Sequence, residues 1–154
     1  MIDNLSLTGH DNHEVMPIFA CILSLMLFHQ PINEPDLDPI EIFDIQAGEV
    51  ISIMPNDDGI QREVNHFLEH LTDIEQQINP IPQKGLMIKI PVQPAHLLHN
   101  EWLYTLIEET IIIIRPTFDP ILLVFDDQMN AYFFQFQGDM YPLLKQLKII
   151  QPDF

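Results

Sequence analysis

The histidines and carboxylates hold the groups that could bind a metal or move a proton, 7 His and 23 Asp plus Glu in 154 residues. Glu63, His66, His70 and Asp73 follow one another at helical spacing. Two imidazoles one turn apart can ligate a metal. At about 100° per residue, His66 and His70 flank an apolar stripe made by Ile60, Val64, Phe67, Leu68, Leu71, Ile74 and Ile78. Glu63, His66, His70 and Asp73 are therefore the metal candidates, set against the ordinary reading of a solvated helix face. His96 and His99 have a similar spacing near the start of a further expected helix, as do His10 and His13 near the N-terminus.

The run His66-Phe67-Leu68-Glu69-His70 resembles the H-x-x-E-H pattern of inverted zinc peptidases over five residues. The resemblance implies zinc on the two imidazoles, with Glu69 activating a water. The helix geometry turns Glu69 toward solvent, and a small metal-dependent hydrolase is kept as the second alternative only. The expectation is a protein that is not an enzyme, with no catalytic residue and no cofactor.

Other motifs read as structure. Asn56-Asp57-Asp58-Gly59 resembles part of a calcium loop, but Arg62 and Val64 fall where oxygen ligands belong, so a turn and helix cap is expected. Cys21 lies in an apolar run, where burial makes a thiol inert. As the single cysteine it excludes a disulfide within the chain and a Cys-based zinc site. There is no G-x-S-x-G or dinucleotide fingerprint, and 5 glycines give little material for a phosphate cradle.

Charge is the strongest signal. The net charge is −17, with 6 Lys plus Arg. That balance excludes a phosphate-neutralising nucleic-acid surface and an anionic membrane face. Arg62 is the first basic residue, and eleven acids precede it, from Asp3 to Asp58. Carboxylates at that density repel one another, and a cationic partner that relieves the repulsion stabilises the fold by linkage.

These residues need elements to position them. Glu14 to His29 reads as a helix that is apolar round most of its circumference. It is too short for the ~20 residues that span a bilayer. Met1 to Leu7 carries no basic n-region, so a cytoplasmic location is expected. Gln30 to Pro39 is a loop, Ile40 to Ile45 a short strand or turn, and Val50 to Met54 a strand. A helix from Ile60 to Ile78, capped by Asp57 or Asp58, runs up to Pro80. Leu86 to Val92 is a strand, and Ala95 to Glu109 a third helix with Leu98, Trp102 and Leu106 on one face. Ile121–Phe125 and Ala131–Gln137 flank a turn at Asp126–Asn130 and predict a hairpin, followed by a terminal helix over Tyr141–Ile149.

The expected fold is one α+β domain over residues 1–154, with a mobile N-terminus of about ten residues. Three to four helices pack on a mainly antiparallel sheet of four to five strands. The expected function is a small acidic binding protein that neutralises a basic protein, a toxin or a nucleic-acid-binding protein. Immunity proteins and nucleic-acid-mimic inhibitors are similar to it in size and charge. The carboxylates expected to meet the partner are Glu34, Asp36, Asp38, Asp57, Asp58, Asp126 and Asp127. The alternative is an acidic secretion-type chaperone or a subunit of a larger assembly, with the Pro17–Phe28 run as an interface. No direct nucleic-acid or membrane contact is expected.

Overall fold

The structure, a computed structural model, describes residues 37–77 and 79–149. The expected first helix, Cys21, His10, His13, Glu34 and Asp36 lie outside the described residues.

Seven strands form one antiparallel sheet in the order β2-β1-β4-β5-β6-β7-β3. They are β1 (Ile40–Asp44), β2 (Glu49–Met54), β3 (Leu71–Ile74), β4 (Leu86–His99), β5 (Tyr104–Arg115), β6 (Phe118–Phe125) and β7 (Ala131–Phe136). Two helices accompany them, α1 (Asp58–Glu69) and α2 (Tyr141–Gln146). The expectation of three to four helices on four to five strands is thus corrected. Among the described residues there are two short helices and seven strands.

The core follows from side-chain alternation along strands. Ser52, Ile42, Ile88, Ile112, Leu122, Phe134 and Ile74 stand in register across all seven strands. On this face Ile60, Val64, Phe67 and Leu68 of α1 and Leu143 of α2 complete the main core. Residues of opposite parity form a second cluster on the other face, with Ile113, Ile121 and Leu123 buried and Met87, Ile111, Phe125 and Phe133 half-buried. Two-sided burial explains the uninterrupted run Ile111–Ile114 in β5, since a strand covered on both faces has no solvated side.

Two expectations fail for identifiable reasons. The helix expected to reach Ile78 stops at Glu69, where the His70 N–H closes back on the Phe67 carbonyl. Leu71 and Ile74 have helical spacing, but they enter β3. A register shift between Leu71 and Asp73 lets both pack on the core from an extended chain. The helix expected over Ala95–Glu109 is instead the end of β4, a tight loop and the first half of β5. Asn100 makes that loop: its Oδ1 accepts from the N–H groups of Trp102 (3.0 Å) and Leu103 (2.9 Å). Trp102 then packs on Phe134, ring centroids 5.7 Å apart, while Leu106 is exposed. The apparent helical face of Leu98, Trp102 and Leu106 is therefore two strands and a loop.

No helix of the described residues is long and apolar enough to cross a membrane.

Candidate functional site

Strand register gathers the acids. Glu41, Lys89, Ile111 and Leu123 lie in one row across β1, β4, β5 and β6. Neighbouring strands run oppositely, so stepping back from Glu41 to Asp38 and forward from Leu123 to Asp126 leads to the same end of the sheet. Stepping forward along β2 from Ile53, the partner of Glu41, reaches Asp57 and Asp58 at that end as well. β2 and β6 stand four strand spacings apart in the sheet order, so the five acids are spread over roughly 19 Å at ~4.8 Å per strand.

Each carboxylate has a local reason for its place. Asp57 caps α1, its Oδ1 accepting from the Ile60 N–H at 2.9 Å. Asp58 opens the first turn, where the helix dipole favours a negative charge. Asp38 exchanges two hydrogen bonds with Gln93: its N–H donates to Oε1 (2.8 Å), and Nε2 donates to its Oδ2 (2.9 Å). Asn56 Nδ2 holds the Asp38 carbonyl at 3.1 Å, and Gln61 Nε2 donates to Asn56 Oδ1 at 2.8 Å. A chain of side-chain amides therefore ties the starts of β1 and α1 to β4.

Asp126 organises the β6–β7 turn. It accepts from the N–H groups of Gln128 (2.9 Å) and Asn130 (2.8 Å), from Asn130 Nδ2 (2.8 Å) and from the Tyr132 hydroxyl (3.2 Å). The Asn130 side-chain bond foremost, with the backbone bonds behind it, holds the Asp126 carboxyl below the usual carboxylate range. Desolvation, with the Asp126 charge beside it, raises the Tyr132 hydroxyl. Asp127 accepts from Thr105 Oγ1 at 2.8 Å.

The described histidines form two separate pairs. His66 on α1 and His70 at its C-cap have ring centroids 4.2 Å apart, and His70 Nδ1 donates to the His66 carbonyl at 2.7 Å. Glu63 lies on the same helix, while Asp73 lies on β3. Among the described residues no group of three or more His, Cys, Asp or Glu is arranged to hold a metal. His96 and His99, expected at a helix start, are on β4. His96 Nδ1 donates to Asn65 Oδ1 at 3.0 Å, and His99 meets Tyr104 edge-on. Asn56–Gly59 is the turn and cap expected of it, with Gly59 inside α1.

Two ionic features escaped the sequence reading. Lys89 reaches Glu41 (2.8 Å) and Glu109 (3.8 Å) on the flanking strands. The Glu41 hydrogen bond is the main cause that raises the lysine above its usual value. Arg115 and Glu75 form a buried pair at 3.0 Å, and the Arg115 Nε and NH2 groups also donate to the Asp119 carbonyl. The guanidinium stands 5.4 Å from the Phe118 ring centroid. An open recess of about 490 Å³ borders the pair, with Thr72, Gln135 and Gln137 on its walls. The sequence signal was a single arginine closing the run Ile111–Ile114, since a charge in a two-sided strand needs a partner.

Compared with known proteins, the chain matches no family model, no curated sequence and no solved structure.

Proposed function

We propose that this chain is a non-enzymatic acidic binding protein that captures a basic protein. The observation that carries the reading is the convergence of Asp38, Asp57, Asp58, Asp126 and Asp127 at one end of the sheet. Hydrogen bonds from Gln93, Ile60, Asn130 and Thr105 hold four of these carboxylates in place, so little side-chain entropy is lost when a cation meets them. Lys89 is taken up by Glu41 and Glu109, and Arg115 by Glu75, so neither offsets that end. An opposite field raises association rates by roughly 10–10³ over a neutral pair.

The test is native mass spectrometry on protein from its own source at low ionic strength, repeated after a high-salt wash. The reading expects a stoichiometric complex with a protein of net positive charge. Salt should dissociate it, and Asp58→Asn combined with Asp127→Asn should weaken it. A salt-resistant assembly would overturn the reading in favour of the chaperone or subunit, because apolar contacts strengthen in high salt. A bare monomer carrying one zinc per chain would return the argument to the histidine pairs.

A further inference from the structure

β2 ends the sheet on its side and pairs only with β1 among the described residues. Among the described residues its outer edge therefore presents unpaired backbone N–H and C=O groups, a template for another strand. Proteins ordinarily blunt such edges with charged side chains, proline, short length or a bulge. β2 is six residues long, Glu-Val-Ile-Ser-Ile-Met, with a bulge at Ile51 and one charge at Glu49 but neither lysine nor proline. Val50, Ile51 and Ile53 are 45%, 53% and 67% exposed. The opposite edge is guarded: β3 has four residues, and its outward side chains are Thr72 and Asp73.

Alternation sorts the side chains of β2. Val50 and Ile53 pair with Phe43 and Glu41 and share one face. Glu49 stands directly opposite Asp44, a like-charge pair that costs stability unless a cation bridges it. No lysine or arginine occurs from residue 37 to residue 61, and Asp44 and Glu49 have no ion-pair partner among the described residues. An incoming strand would thus meet apolar Val50 and Ile53 on one face and the carboxylates Asp44 and Glu49 on the other.

We infer that the open edge of β2 takes up an extended segment of the basic partner as an eighth strand, in which apolar residues alternate with lysine or arginine. The apolar residues pack against Val50 and Ile53, and the cations lie along Asp44 and Glu49. Main-chain hydrogen bonds then supply affinity and alternate side chains supply specificity. A second copy is the poorer occupant on two grounds. Two chains of net charge −17 repel each other. Ile51 is the extra residue of a bulge between the Ser52 and Val50 pairs, and the added twist suits a flexible segment better than a rigid copy of the same strand. The inference rests on the basic-partner reading and adds where and how the partner binds.

The probe is the peptide acetyl-Lys-Val-Lys-Val-Lys-Val-Lys-amide, with its glutamate-for-lysine counterpart as control. Amide hydrogen exchange and calorimetry on the full chain read the result. The expected result is protection of β2 amides by the lysine peptide alone. Binding should weaken about tenfold in Ile53→Lys, equivalent to ~1.4 kcal/mol, and less in the uncharged Ile53→Thr, which keeps the fold controlled. Salt-sensitive binding that protects the turn at Asp126–Asn130 and leaves β2 exchanging freely would overturn strand addition while the acidic-capture reading stands. Equal binding of the glutamate peptide, or no binding of the lysine peptide, would also overturn it. So would a dimer in light scattering that Ile53→Lys dissociates, since the edge would then belong to a second copy.

Discussion

Asp38 and Gln93 stand 55 residues apart in the chain and exchange two hydrogen bonds, one from backbone to side chain and one from side chain to side chain. The contact converts a loop carboxylate into a fixed one. It also fastens the start of β1 to β4 just beyond their paired residues. Gln93→Leu removes both bonds and leaves the Asp38 carboxylate solvated. The expected loss is about 1 kcal/mol, seen as a lower urea midpoint with an unchanged slope. A cationic partner should bind the variant more weakly through a faster off-rate. An unchanged midpoint would mean that water replaces both bonds at no cost.

The Arg115–Glu75 pair should behave as a buried pair, since both side chains are at most 6% exposed. Arg115→Met strands the Glu75 carboxylate and releases the Asp119 carbonyl, at an expected cost of about 3–5 kcal/mol. Adding Glu75→Gln should recover much of that loss, because the stranded charge is then gone. Denaturant titration of the two single variants and the double variant gives the coupling. Additive losses would show that the two groups act independently.

What the sequence made legible depended on whether one local signal was enough. The β6–β7 hairpin was readable because Asp126–Asn130 separates two strand-like runs, and Asp126 builds that turn with its own side chain. Val50–Met54 and the start of α1 were readable from Pro55 and the Asp57 cap. The β4–β5 hairpin was not, because its turn at Asn100–Leu103 has no glycine and Leu98, Trp102 and Leu106 mimic a helix face. β3 was hidden by its bulge, which gives Leu71 and Ile74 helical spacing inside a strand. For the acids, residue type was legible but convergence was not, since strand order decides which loops share an end. The open edge of β2 was invisible for the same reason.

Asp126 carries a pH prediction. Its folded-state carboxyl lies below the ordinary range, mainly through the Asn130 side chain. Its contribution is therefore complete above the unfolded-state value and disappears as pH falls through the lowered folded value. Asp126→Asn should be less stable than the parent at neutral pH. The two should converge in strong acid, below the lowered folded value. Thermal melts of both proteins across that range test this. A stability difference that persists in strong acid would assign the effect to geometry rather than to ionisation.

Gly85 and Gly48 separate backbone strain from steric exclusion. Gly85 stands just before β4 at φ +135°, and a Cβ there would run into the Ile114 carbonyl oxygen on the paired strand. Its own carbonyl accepts from the Ile45 N–H at 3.1 Å, so the residue cannot shift without loosening β1. Gly48 sits in the β1–β2 turn at φ +73°, with open space where a Cβ would stand. Gly48→Ala should therefore cost only the left-handed penalty of about 1–2 kcal/mol. Gly85→Ala adds a clash with main chain that no rotamer can relieve, and should cost more than about 2 kcal/mol. It should also speed amide exchange in β1, where the strain must be taken up. Equal losses at the two sites would mean that β4 and β5 separate freely at that end, and that the register between Leu86 and Ile114 contributes little to the sheet.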